Sequence, residues 1–138
     1  TFLGSSAAYT DLIHKLGGPA MNGLYASMAA QHPYLDEASQ PLRFWANKYK
    51  TKFNEDPTVF SAYGYQIIDM FAQAATKAGA NLTTDSFIKA MDTMTVPPDM
   101  FGSAQATYTA TKRLGSNASR LSQITDGRWK VISEYVTP

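Results

Sequence analysis

The chain has 138 residues, of which 44% are hydrophobic, and a net charge of +1 from 12 basic and 11 acidic side chains. That length and hydrophobic content suffice for one globular domain with a hydrophobic core. The charges are spread without long runs, which excludes the basic surface typical of proteins that bind nucleic acid or anionic lipid. There is no cysteine, so disulfide bonds, thiolate metal sites and cysteine nucleophiles are excluded.

The first 30 residues predict the order strand, helix, strand. Residues 1–6 lead from apolar side chains into a Gly/Ser loop, and residues 9–16 place Leu and Ile on one helical side. Residues 22–28 alternate between two faces as in a strand, although so short a run is also compatible with a helix. This order is typical of part of an α/β sheet.

A polar linker over residues 31–39 precedes three predicted helices. The first covers residues 40–53, and the second runs over residues 57–79. The third begins after Thr83, a predicted N-cap, and ends at Pro97-Pro98, because proline cannot continue a helix.

The second helix is the longest apolar segment, and the rest of the chain is predicted to pack around it. Asp56 is its predicted N-cap, with Pro57 in the first helical position and Gly79 as the residue that ends it. One face repeats apolar side chains at steps of three and four, and a second apolar strip lies beside it. A helix that is apolar on both sides is predicted to be covered on both sides. The first face consists of Phe60, Tyr63, Ile67, Met70, Phe71, Ala74 and Ala78.

The last third of the chain predicts strands. Residues 102–110 alternate with a period of two. Residues 121–125 and 128–132 flank Asp126-Gly127, which is a strong signal for a two-residue hairpin turn.

A serine-rich loop is the first candidate site. Residues 4–8 read Gly-Ser-Ser-Ala-Ala and resemble a relaxed nucleophile elbow. A hydrolase would need an acid and a histidine later in the chain, but His14 and His32 both lie close behind the loop. Loops at the carboxyl ends of strands in α/β sheets usually hold ligands, so binding by Ser5 and Ser6 is favoured over nucleophilic catalysis.

The two histidines are candidate metal ligands. His14 and His32, taken with Asp11 and Asp36, fit no spacing known for metal ligands, and we expect these side chains to be solvated. No motif for a cofactor is present, so we expect neither a metal nor a cofactor.

Three aromatic side chains crowd the start of the second helix. Tyr63 and Tyr65 are as compatible with core packing as with a site. Phe60 lies at the helix N-terminus, where a ring can face a cleft and free backbone N–H groups can meet an anion.

Taken in order, these segments resemble the C-terminal part of the type I periplasmic binding proteins. The most similar group is the branched-chain amino acid (Leu/Ile/Val-binding) family of ABC-transporter receptors. The segments that carry the resemblance are residues 2–6, 18–23, 44–50, 57–79, 87–90 and 123–129.

The resemblance implies an α/β fold that is a fragment of a two-lobed protein. Residues 1–30 would belong to the second lobe. Residues 31–105 would form a crossover and the helical part of the first lobe, and residues 106–138 a return crossover with the C-terminal strands. Uncovered apolar faces would then pack against the missing N-terminal part of the same protein or against a second copy.

The resemblance also implies ligand-binding positions. In amino-acid receptors of this family, the loop after the first strand supplies a carboxylate for the ligand's ammonium, and the matching position here is Ser6, beside Ala7. A hydroxyl cannot offset a desolvated ammonium, so an aromatic or aliphatic acid or an amide fits better than a free amino acid. Phe60 matches an aromatic ring of the site, and Ser5 and Tyr9 are weaker candidates.

The function that the resemblance implies is that of a periplasmic or otherwise extracytoplasmic receptor. It would close around a small organic ligand and deliver it to a membrane permease, without catalytic residues and not as an enzyme. A ligand-sensing regulatory domain of the same fold is an alternative. A serine hydrolase that uses Ser5 or Ser6 is a more distant one.

Overall fold

The computed structural model describes all 138 residues as a mixed α/β protein. The elements follow the predicted order of strand, helix and strand, then three helices, then strands. They are β1 (Leu3–Gly4), α1 (Asp11–Gly17), β2 (Tyr25–Met28), α2 (Gln40–Phe53), α3 (Val59–Ala78), α4 (Thr84–Met91), β3 (Thr95–Val96), β4 (Ala106–Thr107), β5 (Arg120–Thr125) and β6 (Arg128–Val131).

Four of the strands form one sheet in the order β1-β2-β5-β6. β1 and β2 are parallel, and α1 lies in the crossover that a parallel pair requires. β2 and β5 are antiparallel, with Ala26 opposite Ser122. The predicted hairpin between β5 and β6 is confirmed, and Asp126 and Gly127 have φ angles of 53° and 70°, as a type I′ turn requires. The alternating pattern after Gly102 forms only the short strand β4, which pairs with β3.

The chain divides into two layers. The sheet layer comprises residues 3–28 and 120–131, and the helical layer comprises residues 40–107 with α2, α3, α4, β3 and β4. The chain therefore passes between the layers twice, through a first connection (residues 29–39) and a second connection (residues 108–119).

Each layer has its own buried cluster, and the start of α3 joins the two. The sheet-layer cluster contains Tyr9, Ala26, Met28, Val59, Ile124 and Trp129. The helical-layer cluster contains Ala30, Leu42, Ala62 and Phe101, with Trp45 packed edge-on against Phe101 at 4.9 Å between ring centroids. Val59 and Ala62 are one turn apart on α3, so this single turn contacts both clusters.

The predicted N-terminus of α3 is wrong by two residues. The N-cap is Thr58, not Asp56, and Pro57 precedes the helix instead of opening it. Thr58 has extended backbone angles, and its N–H donates to Ser61 Oγ at 3.1 Å, which closes a capping box. The C-terminus agrees with the prediction, since Gly79 has a φ of 86°.

The prediction that α3 is covered on both sides is wrong for this chain. Ala62 and Ala74 are buried, whereas Ile67, Ile68 and Phe71 are 66%, 67% and 54% exposed. One side of α3 therefore presents an apolar face to solvent. None of the helices combines the length and apolarity needed to cross a membrane.

The predictions for the other two helices hold at their N-termini. α2 covers the predicted residues 40–53, with Ser39 as N-cap. α4 begins after Thr83, as predicted, and Ser86 N–H donates to the Thr83 hydroxyl at 3.1 Å. α4 ends at Met91, well before Pro97-Pro98, because β3 occupies part of the intervening segment.

The packing of α2 makes a prediction about stability. Leu42 is fully buried, so Leu42→Ala should lower the free energy of unfolding by about 3 kcal/mol through lost burial and the cavity left behind. Phe44 on the same helix is 70% exposed, and Phe44→Ala is the matched control, expected to change stability by no more than about 0.5 kcal/mol. Urea unfolding measures both values. Equal losses in the two variants would contradict the assignment of the buried face.

Candidate functional site

The serine loop forms an exposed turn at the carboxyl end of β1. Ser5, Ser6 and Ala7 are all exposed, and residues 6–8 form a single 3-10 turn. Both serine side chains are therefore accessible to solvent. The turn packs closely on β1, since a Cβ added at Gly4 would lie 2.6 Å from the Ala8 Cβ.

Phe60 lies in the first turn of α3 and is 62% exposed. Its ring contacts Tyr63 edge-on at 6.0 Å between centroids. Its neighbour Val59 belongs to the sheet-layer cluster, against which Ala8 also packs. Ala8 of the serine turn and Tyr63, which the Phe60 ring contacts, therefore both pack against this cluster.

The structure does not support Tyr9 as a ligand-binding residue, which corrects the prediction. Its side chain is only 1% exposed, and its ring packs 5.0 Å from that of Trp129. The Tyr9 hydroxyl accepts a hydrogen bond from the His32 backbone N–H at 2.9 Å, and burial raises the pKa of Tyr9 well above its usual value. Tyr9 is a core residue that holds the start of the first connection.

The expectation that the histidine–aspartate group is solvated is wrong for two of its members. Asp11 and His32 are 5% and 4% exposed, and Asp11 Oδ1 lies 3.9 Å from His32 Nε2. Burial lowers the pKa of His32 to about 4, so its ring is neutral at pH 7. Burial raises the pKa of Asp11, but the hydrogen bond from Lys15 Nζ at 2.5 Å and the charge of Lys15, together with smaller contributions, outweigh burial, and the pKa of Asp11 is lowered.

This buried pair lies beside a polar cavity of about 90 Å³ at the first connection. The His32 ring stacks on Tyr34 at 4.3 Å between centroids, and the Tyr34 hydroxyl is 3.3 Å from His14 Nε2. No three histidine, aspartate or glutamate side chains of the chain are placed to hold one metal ion.

Asp36 belongs to a different interaction, which fastens the first connection to β6. Arg128 forms two hydrogen bonds to the Asp36 carboxylate, at 2.6 and 2.7 Å, and these bonds lower the pKa of Asp36. The Arg128 guanidinium also lies 4.1 Å from the centre of the Tyr34 ring. The Tyr34 hydroxyl accepts the backbone N–H of Trp129 at 2.8 Å.

The arrangement offers no catalytic group to the serines. Neither His14 nor His32 hydrogen-bonds to Ser5 or Ser6, and both ring nitrogens of the buried His32 have no hydrogen-bond partner. A serine nucleophile needs a base within hydrogen-bond reach. The geometry therefore places neither histidine as a base for these serines.

The pairing of Asp36 with Arg128 has no signal in the sequence. The two residues are 92 residues apart, so only the fold brings them together. The pairing of Asp11 with Lys15 does have a signal, because Lys15 follows Asp11 at the i+4 spacing of a helical ion pair, but the burial of Asp11 does not.

Burial of His32 makes the stability depend on pH. Its pKa is about 4 in the folded protein, against the ordinary value of 6.5 for a solvated histidine in the unfolded chain. Between these two pH values the unfolded chain binds the proton and the folded protein does not. The free energy of unfolding therefore falls as the pH falls, and His32 accounts for about 3 kcal/mol of the total loss. In His32→Gln this contribution disappears, and the free energy of unfolding should fall less steeply between pH 6.5 and 4. Urea unfolding across that range checks this, and equal slopes for both proteins would contradict it.

Comparison with known proteins agrees with this architecture. The family model described as periplasmic binding protein matches residues 1–128. No curated protein matches the chain. A branched chain amino acid ABC transporter structure from Thermus thermophilus with bound valine is 16% identical, with a TM-score of 0.78, over 99% of this chain and 39% of that chain.

Two further solved structures are similar. A fatty acid ABC transporter substrate-binding protein from Thermomonospora curvata is 20% identical, with a TM-score of 0.75, over 99% of this chain and 36% of that chain. An ABC transporter solute binding protein from R. palustris, in complex with benzoate, is 15% identical, with a TM-score of 0.63, over 91% of this chain and 34% of that chain.

At these identities the likeness shows the fold, and the chain spans less than two fifths of each of these three structures. The order and pairing of the elements, together with a family model that extends over residues 1–128, agree on one assignment. The chain belongs to the periplasmic binding protein family.

Proposed function

We propose that the chain forms part of an extracytoplasmic receptor that binds a small organic solute for an ABC transporter. The observation that carries the proposal is that two exposed features adjoin one cluster: Ala8 of the serine turn packs against the sheet-layer cluster, and so does Tyr63, which the Phe60 ring contacts. Membership of the family and the likeness to solute-binding proteins of ABC transporters support it. A membrane permease is the partner to which such a receptor would deliver its solute.

The two layers are proposed to belong to two lobes. Residues 1–30 would contribute to the second lobe, residues 31–105 would form a crossover and the helical part of the first lobe, and residues 106–138 would return to the second lobe. The two connections support this division, because they are the only stretches of chain between the layers. Closure would be driven by contacts that the solute makes only when both lobes surround it.

The chemistry of the serine turn favours a solute without a free ammonium group. Ser5, Ser6 and Ala7 supply hydroxyl and methyl groups but no carboxylate. The nearby Asp11 is buried and already paired with Lys15. An ammonium taken out of water would lack a counter-charge from this part of the site, which is costly. A carboxylate can accept hydrogen bonds from the serine hydroxyls, and an amide with an aromatic or aliphatic body carries no charge to desolvate.

The exposed apolar side of α3 supports a further element of the proposal. Ile67, Ile68 and Phe71 form a continuous apolar surface of the kind that monomers rarely leave open. We propose that another part of a longer protein covers it, or a second copy where that part is absent. Sedimentation of the 138-residue chain at several concentrations tests this, and a compact monomer that does not associate would count against it.

The solute itself can be found directly. Mass spectrometry of small molecules released on denaturing the full-length protein would identify the bound compound, and calorimetry with that compound would give its affinity. A full-length protein that binds no small organic molecule from a panel of acids, amides and amino acids would rule out the proposed function.

Restoring a carboxylate at the serine turn should change the preferred solute. We expect Ser6→Asp to weaken binding of a carboxylic acid and to strengthen binding of the amino acid with the same side chain, because the new charge repels one and pairs with the other. Ser6→Asn is the matched neutral control. Calorimetry with both solutes measures the change, and the same preference in all three proteins would remove Ser6 from the site.

Phe60 should contribute to affinity and little to folding. We expect Phe60→Ala to weaken solute binding about tenfold, because covering part of a phenylalanine ring is worth roughly 1.5 kcal/mol. Since the ring is 62% exposed, stability should change little. Phe44→Ala, which removes a phenylalanine ring that is 70% exposed on α2, serves as the control. If calorimetry gives the same affinity for wild type and Phe60→Ala, Phe60 is not a ligand contact.

A further inference from the structure

The residues after β6 pass across both layers, and we call residues 133–138 the C-terminal strap. The hydroxyl oxygen of Tyr135 lies 3.0 Å from the carbonyl oxygen of Ala29 and 2.6 Å from that of Gly102. Ala29 is the first residue of the first connection, whereas Gly102 belongs to the helical layer. The Tyr135 side chain therefore contacts both the first connection and the helical layer.

Backbone hydrogen bonds fix the strap beside the second connection. Ser119 N–H donates to the Val136 carbonyl at 3.0 Å, and Val136 N–H donates to the Ser119 carbonyl at 2.8 Å. A further backbone hydrogen bond joins the first connection to the helical layer, where Gln31 N–H donates to the Phe101 carbonyl at 2.8 Å. Both connections and the edge of the helical layer thus lie side by side under the strap.

Arg120 holds the Tyr135 ring in this position. Its guanidinium carbon lies 4.8 Å from the ring centre, at a distance typical of cation–π contacts. The same guanidinium occupies the space beside Gly102, where a Cβ would come within 2.6 Å of Arg120 Nη2. Gly102 also has a φ of 65°, so only glycine suits both its backbone and this contact.

We propose that Tyr135 is a positioning residue that sets how readily the two layers rotate against each other. A phenol has one O–H, so it donates fully to the Ala29 carbonyl or to the Gly102 carbonyl, or divides the bond between them. A rotation of the helical layer that moves Gly102 away loses the shorter of the two contacts, so the phenol favours the arrangement in which both carbonyls lie within reach. The inference rests on the lobe closure in the proposed function, to which it adds a residue outside the serine turn and Phe60.

Distance measurements on the full-length protein without solute test the role of Tyr135. The chain has no cysteine, so Leu16→Cys on α1 and Lys89→Cys on α4, both exposed, can carry spin labels on the two layers. We expect Tyr135→Phe to lower the population of the arrangement in which both carbonyls lie within reach, relative to the others, about fivefold, the factor that corresponds to one hydrogen bond of ordinary net strength. Tyr49→Phe is the control, because its hydroxyl donates to Glu55 at 3.0 Å within the helical layer.

A second variant tests the strap without the phenol. Val136→Pro removes the N–H that donates to Ser119, and Val136 is 61% exposed, so the fold should tolerate the change. Altered distance distributions in both strap variants with an unchanged Tyr49→Phe control would support the proposal. Distributions equal to wild type, or an equal change in the control, would overturn it.

The two proposals fail in different ways. Calorimetry on the wild-type protein tests solute binding and says nothing about the strap. The label distances are recorded without solute, so they test the strap even if no solute is found.

Discussion

The antiparallel pairing of β2 with β5 is the constraint on which the rest of the structure depends. It sets Ala26 opposite Ser122, so that segments nearly a hundred residues apart share one sheet. Because both ends of the chain are committed to this sheet, the intervening helices must be reached and left through two separate connections. The layers, the junction at α3 and the strap across the connections all follow from that pairing.

The junction itself depends on one turn of helix. Val59 enters the sheet-layer cluster and Ala62 the helical-layer cluster, and Phe60 between them is left outside both. A helix with a period of 3.6 residues cannot bury three neighbouring positions on one side. The exposure of Phe60 is thus a geometric result of the two burials beside it, and it leaves an aromatic ring available for a ligand.

Local patterns predicted much of the fold. The bounds of α2, the Thr83 cap and the Asp126-Gly127 turn each depend on side chains close in sequence, and each is confirmed. The predicted cap at Asp56 is wrong because Thr58 and Ser61 form a better one two residues later. The prediction that both sides of α3 are covered is wrong because a periodic pattern shows that a face is apolar but not what packs against it.

The candidate site was less predictable than the fold. The binding role of the serine turn stays a prediction. Tyr9 is a core residue because its ring packs against Trp129, near the other end of the chain. The burial of His32 and the pairing of Asp36 with Arg128 likewise depend on contacts between distant segments. Polar residues in a linker look solvated in sequence, and only tertiary packing shows otherwise.

The placement of the two tryptophans has a practical consequence. Trp129 is buried in the sheet-layer cluster, whereas Trp45 packs against the cluster of the helical layer. Each half of the molecule therefore contains one intrinsic fluorophore. Emission from single-tryptophan variants would follow the melting of either half separately and reveal whether they lose structure as one cooperative unit.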